Sequence, residues 1–545
     1  MPPLPLETIP RKRFLGFLIW QSIPTALLFF LSKAAASALA PAAAAAPPPR
    51  RGGRAASILG FLLCFVAFEL SQLLSSASLS FLSAPRPDRP ASPLELALGL
   101  VRSAVGSRPA PPELRRRARA SLAIATFVAA CAVSSFLSAA AVCWGVSSGD
   151  SIGRVVGFRG FVVGLLYGAL YVYKRRWVLE FPIVQRTLYF SFKMGLPSAA
   201  RNAFKFSGAA YVFSSLLLAF LPDHHYVQTS MGRFLLEQII FYMGTLAVFL
   251  CWELSHHLHQ VLHTKRFIFA PPRGSAAAET NPSEPLLAAL EESHPSSLVH
   301  YLAYLDLCMV SENNVDTWRR AAFFEETGDT YKRVIAVCLR PLEKLASKLA
   351  EGLETSADKS YPLSNQLLSP TDLQLDSSCY EPLNHYQLYA WGARAAASLT
   401  VHSHKEDRYG VAQLSGSNAA VLSNLLSCLL AVESFMGKRT HLQSQHHFMG
   451  AGGIKWATPN AGRRYFPSST VGKKRGSPLH SKAYAIADVL RTSIYQIVSA
   501  FHDEMLASAK SGILEKDWTI NSKPPFGTRD LLLQKLRLFL DFRAS

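Results

Sequence analysis

Residues 234–254 read FLLEQIIFYMGTLAVFLCWEL, and residues 255–267 continue SHHLHQVLHTKRF. At ~1.5 Å per helical residue, about 20 apolar residues cross the ~30 Å hydrocarbon layer of a bilayer. The first stretch is therefore long enough to span. The second is a polar exit that ends in Lys265 and Arg266. Past residue 254 the composition becomes that of a water-soluble helical protein, so this junction divides the chain.

Upstream of the junction, five more runs have the length and apolarity of a span: 14–32, 57–82, 121–144, 155–173 and 203–221. Two readings of the first remain open. Arg11, Lys12 and Arg13 before it and small residues such as Ala38 after it match a cleavable signal, but the run exceeds the ~7–15-residue core of one. Retained, it makes six spans. The Ala/Pro tract 34–49 is then a connecting loop.

Loop charge sets orientation, because Lys and Arg stay on the cytoplasmic side. Arg11, Lys12 and Arg13 precede the first run. Arg86, Arg89, Arg102, Arg108 and Arg115 to Arg119 lie between the second and third. Lys174, Arg175, Arg176, Arg186, Lys193 and Arg201 follow the fourth, and Lys265, Arg266 and Arg273 follow the sixth. The alternate loops hold Lys33, Arg50, Arg51 and Arg54, then Arg154, then Arg233. Both termini and the second half are expected on the cytoplasmic side. Trp144, Tyr171, Tyr173, Trp177 and Trp252 at the run ends suggest an interfacial aromatic belt.

Of the 545 residues, 49% are hydrophobic and only 17% charged, with a formal net charge of +19. Nucleic acid, anionic lipid and membrane topology all account for such a charge. The placement of the cations beside apolar runs favours topology in the first half. The eight cysteines form no CxxC pair and no zinc-type spacing.

Three ionisable residues fall inside the runs: Glu69, Arg159 and Glu237. Arg159 can pair with either acid, or it and Glu237 can snorkel to the interface. Snorkelling is the simpler reading, and it leaves Glu69 alone near mid-span. His256, His257, His259 and His263 form the sharpest candidate site. His259 and His263 share a helical face at a metal-compatible spacing. No carboxylate sits among them, and the pairs His402/His404 and His446/His447 lie far along in loop-like sequence. An interfacial histidine patch is expected, with no catalytic residue, no cofactor site and no metal site assigned. No phosphate loop and no nucleophile elbow occurs, so no enzyme is expected. A metal-dependent lipid-modifying enzyme built on the histidines and a transporter built on Glu69 are the alternatives.

The expected fold class is all-α. Residues 1–13 form a cytosolic N-terminus, 14–254 the six-span domain, 255–295 the membrane exit and linker, and 296–545 a cytosol-facing helical domain. Helical periodicity marks 297–310 through Leu298, Tyr301, Leu302, Leu305 and Met309. It also marks 329–351, where Pro341 should kink or split the helix, and 388–399, 418–435, 483–509 and 529–542. In the last helix Leu532, Leu536, Phe539 and Leu540 share a core-facing side. The stretches 355–379 and 437–482 read as disordered gaps, the second basic enough to meet nucleic acid, lipid or an acidic partner.

Just past the linker comes Leu302-Ala303-Tyr304-Leu305-Asp306-Leu307. Trp318-Arg319-Arg320, Phe323-Phe324, Gly328 and Cys338-Leu339 follow. This pattern, with the membrane exit His263-Thr264-Lys265-Arg266-Phe267, resembles the nuclear-division-cycle transmembrane nucleoporins. The resemblance implies a structural membrane anchor of the nuclear pore complex in the nuclear envelope, supporting pore assembly and insertion. It implies scaffold nucleoporins as partners of the C-terminal helical domain, with the bilayer around the spans. No small-molecule substrate and no direct nucleic-acid contact are implied.

Overall fold

The computed structural model describes residues 6–39, 53–86, 89–97, 112–144, 150–220, 231–272, 274–358, 382–448, 478–519 and 523–544. Helices dominate, and no strand occurs among the described residues. One isolated bridge joins Ala84 and Val178. The chain separates into two compact units, the first ending at Arg266 and the second beginning at Phe267, with residues 294–299 clustering with the first.

Six long helices build the first unit: α1 Thr8–Leu39, α2 Gly53–Leu82, α3 Pro112–Cys143, α4 Asp150–Tyr173, α5 Leu188–Ala219 and α6 Met231–Thr264. Each expected span lies on one of them. Apolar side chains fill the core of this unit, Phe29, Phe68, Phe127 and Phe249 among them, and also cover much of its outer surface. On α1, Leu15, Ile19, Trp20, Ile23 and Leu27 are exposed, while Gln21 and Thr25 are buried. On α2, Leu59, Leu62, Leu63, Val66 and Leu70 point out, while Ser71, Gln72, Ser75 and Ser76 point in. In water such belts would be strongly unfavourable, whereas against lipid tails they cost nothing. Trp144 and Tyr173 are exposed at helix ends, as an interfacial belt requires. Tyr171, Trp177 and Trp252 are buried in the bundle core instead.

The α3–α4 seam is tight because α4 carries Gly160, Gly164 and Gly168, one per turn. A Cβ on Gly164 would lie 2.3 Å from the Cys131 carbonyl oxygen and 2.7 Å from the Ser135 Cβ. Such spaced small residues let two backbones meet inside a membrane, where no hydrophobic force drives helices together. The α6 helix runs unbroken through the predicted exit to Thr264. Its last carbonyls are capped by Arg13, whose guanidinium donates to the Leu262 oxygen at 3.0 Å and the His263 oxygen at 2.6 Å. A cation there also opposes the negative end of the helix dipole.

The second unit contains α7 Glu284–Glu292, α8 Leu298–Glu312, α9 Thr317–Ala321, α10 Asp329–Asp358, α11 Tyr386–Glu406, α12 Ser417–Phe448, α13 Pro478–Ala500, α14 His502–Lys510, α15 Leu514–Trp518 and α16 Arg529–Ala544. The expectation that strong apolar runs end at 254 needs correction. Among the described residues, six helices are long and apolar enough to cross a membrane, and one of them is Ser417–Gly437 within α12. By the same measure α5, which carries Lys193, Arg201 and Lys205, is not among the six. The two kinds of apolar helix differ in cover: 72% of the apolar stretch of α12 is buried in protein, against 22% for α1. A helix apolar all round belongs either in lipid or at the centre of a core, and the cover places α12 at the centre of its unit.

Other expectations change in detail. The α8 helix is buried nearly all round rather than along one face. Pro341 does not split α10, which runs continuously. Proline leaves the carbonyl four residues back without its usual donor, and here the Tyr304 hydroxyl donates to the Val337 oxygen at 2.8 Å. The region read as 483–509 is two helices broken at Phe501. The presumed gaps are partly helical, since α10 reaches Asp358, α12 reaches Phe448 and α13 starts at Pro478. Residues 359–381 and 449–477 lie outside the described residues. Leu532, Leu536 and Leu540 of α16 are buried, as its pattern predicts.

Candidate functional sites in the two units

The first unit encloses polar groups that tie its helices together. Arg176, in the turn after α4, meets Glu253 of α6 in a bidentate pair, with Nη1 to Oε1 at 2.6 Å and Nη2 to Oε2 at 2.8 Å. The Tyr167 hydroxyl of α4 donates to the same Oε1 at 3.0 Å. The Glu253 side chain is 1% exposed. The guanidinium also sits over the Tyr171 ring, 5.3 Å from its centroid. Sequence reading took Arg176 for a topological charge and did not single out Glu253 as an acid inside a span. The signal was present in Trp252-Glu253-Leu254, a carboxylate inside an apolar run, which is costly without a partner.

Arg159 overturns the snorkelling expectation. It is buried, donating to Gln238 Oε1 at 2.8 Å and Ser215 Oγ at 2.7 Å, with the Phe241 ring 4.0 Å from its guanidinium carbon. It therefore joins α4, α5 and α6 from within. Glu69 accepts from the Thr25 hydroxyl at 2.9 Å, linking α1 to α2. Glu237 is half-buried.

The four histidines diverge. His259 and His263 stack 3.9 Å apart with Phe17 edge-on to both. His256 shares a hydrogen bond with the Tyr171 hydroxyl at 2.8 Å. His257 lies over α5, stacked on Phe192 and filling the notch that Gly195 leaves. Among the described residues, no three His, Cys, Asp or Glu groups come together as metal ligands. His402 and His404 lie on α11, and His446 and His447 on α12, rather than in loops. The arrangement packs α6 against its neighbours, and among the described residues both ring nitrogens of buried His259 lack a hydrogen-bond partner.

In the second unit, the residues that carried the family resemblance form the buried core. The Asp306 carboxylate takes Arg319 Nη2 at 2.7 Å and the backbone N–H of Phe269 at 2.9 Å. Arg319 Nη2 also donates to the Phe269 oxygen at 3.0 Å. Arg320 donates from Nε to Glu406 at 2.9 Å, and from Nη1 to the Ser311 and Asn313 carbonyls. Both arginines are almost wholly buried. Gly328 holds φ +70°, and a Cβ there would stand 2.4 Å from Val411. A Cβ on Gly392 would lie 2.9 Å from the Cys338 carbonyl oxygen, so α11 rides directly on α10. Burial pushes the Cys338 thiol up to about 12 and raises Cys308 as well, which leaves both protonated and unreactive. At the surface, hydrogen bonds from Arg333 hold Glu291 below the usual carboxylate range.

The family described as nucleoporin protein Ndc1-Nup matches residues 116–384 and 370–506, more than half of the chain and parts of both units. The chain belongs to the Ndc1-Nup nucleoporin family. Comparison with curated proteins gave no match. As an Ndc1-Nup protein it is a pore component, and its lipid-adapted helices suit the pore membrane. Ndc1-Nup is a family of nucleoporins rather than of enzymes, in keeping with buried polar groups that clamp helices.

Proposed function

We propose that this nucleoporin anchors the nuclear pore complex in the nuclear envelope and supports the insertion of new pores. One observation carries the reading: besides its apolar core, the first unit exposes many large apolar side chains along its long helices and buries an ion pair and several polar groups between them, as a bundle facing lipid does. The second unit is the part offered to scaffold nucleoporins, and the Lys/Arg bias of the loops favours both termini on the cytoplasmic and pore side. The histidine-based enzyme and the Glu69 transporter lose support. Among the described residues the histidines gather no third ligand, and one oxygen of Glu69 is bonded to Thr25 within the bundle.

A fluorescent fusion to the full chain should give a punctate nuclear rim. On sealed microsomes, external protease should digest the region after Arg266. A reticular signal without a rim, or a protected C-terminal half, would count against the anchor.

A further inference from the structure

A cavity of about 380 Å³ opens in the first unit between residues 180–194 and the end of α6. Its polar lining includes Arg186, Lys265, Gln185 and Gln260, with Glu180 as its one carboxylate. Neither Arg186 nor Lys265 has a carboxylate partner among the described residues. Arg186 donates to the Met194 sulfur. The cavity falls within the range of small-ligand sites, and its charged lining carries a net positive charge.

A second observation concerns the surface beside it. Ile183, Val184, Tyr189, Phe190 and Met194 are 90%, 63%, 67%, 58% and 64% exposed. Val184 and Met194 also line the cavity. Apolar side chains that stand out beside cations are at the right level for the headgroup boundary, where amphipathic segments rest. The segment also follows the loop cations Lys174 and Arg175, on the side that the loop charges favour as cytoplasmic, where anionic leaflet lipids gather.

We propose that this cavity seats the phosphate of an anionic glycerophospholipid between Arg186 and Lys265, with its acyl chains over Val184 and Met194. With two cations against the single carboxylate of Glu180, the lining favours a headgroup of net negative charge such as phosphatidylserine over the zwitterionic phosphatidylcholine. The inference uses the membrane reading of the first unit and says nothing of pore assembly, so it can fail while the nuclear rim remains.

The test is native mass spectrometry of the full chain, delipidated in detergent and then given phosphatidylserine or phosphatidylcholine. Phosphatidylserine should stay bound where phosphatidylcholine leaves. The double variant Arg186→Ala, Lys265→Ala should weaken phosphatidylserine binding by about thirtyfold, at about 1 kcal/mol for each of the two cations lost. The control pair Arg115→Ala, Arg119→Ala on α3 should bind as the wild type does. If the double variant aggregates, Lys265→Gln alone should still show a weakening. Equal retention of both lipids, equal loss in the control pair, or unchanged binding in both the double variant and Lys265→Gln would each overturn the site. Full displacement by inorganic phosphate or glycerophosphoserine would assign the cavity to a soluble phosphate and overturn its assignment to lipid.

Discussion

Asp306 accepts from both Arg319 and the backbone of Phe269, and none of these groups reaches water. A buried pair of this kind adds little net stability, because desolvation offsets attraction. Removing one member is another matter, since it strands the other charge. Asp306→Ala should therefore destabilise the second unit by about 3–5 kcal/mol, whereas joint replacement as Asp306→Leu with Arg319→Met should recover only part of the loss, because it leaves the N–H and carbonyl of Phe269 without these partners. Thermal unfolding of the full chain in detergent tests this, and a single variant that melts with the wild type would refute it. Sequence reading found these residues only as a pattern. Arg319 lies 13 positions from Asp306, and Arg320 lies 86 from Glu406. No local spacing shows that such residues meet, so their role became readable only once α8, α9 and α11 were in place.

At the scale of the helix, the glycines of α4 make a sharper case than the charges. Gly164 has the Cys131 carbonyl and Ser135 against it, while Gly208 on α5 has nothing within 4 Å of where a Cβ would go. Gly164→Leu should force α3 and α4 apart and cost about 1–3 kcal/mol or more, because backbone cannot yield as a flexible side chain does. Gly208→Ala should be tolerated, and by helix propensity gain roughly 0.5–1 kcal/mol. Resistance of the purified chain to unfolding in a denaturing detergent series would rank the two. The reverse order would show that the seam does not hold the bundle. This feature is legible in the sequence, where Gly160, Gly164 and Gly168 stand four apart. The continuity of α10 through Pro341 was not legible. It depends on the Tyr304 hydroxyl reaching the Val337 carbonyl from another helix.

For the whole molecule, length and apolarity alone do not separate α12 from a span, because composition does not record what covers a helix; helical periodicity assigns 418–435 to the second half as a helix of that domain. Val421, Leu422, Leu425, Leu426 and Leu429 of α12 are fully buried. Its polar side chains also find partners within its own unit. Asn424 donates to Glu343 at 2.6 Å, Ser427 exchanges hydrogen bonds with the backbone of Phe526 at 2.8 Å, and Glu433 pairs with Arg491 and Lys535, each at 2.8 Å. A lipid-facing helix would leave those acceptors and donors stranded, whereas a core helix needs them satisfied. A fragment beginning at Phe267 should therefore stay in the supernatant after high-speed centrifugation, show a helical circular dichroism spectrum and melt cooperatively. The same fragment carrying Val421→Asp should lose that melt, because a lone carboxylate cannot be buried there. If the fragment instead sediments with membranes and resists alkaline carbonate, α12 crosses the bilayer, and the region after it moves to the opposite side from the one the loop charges favour.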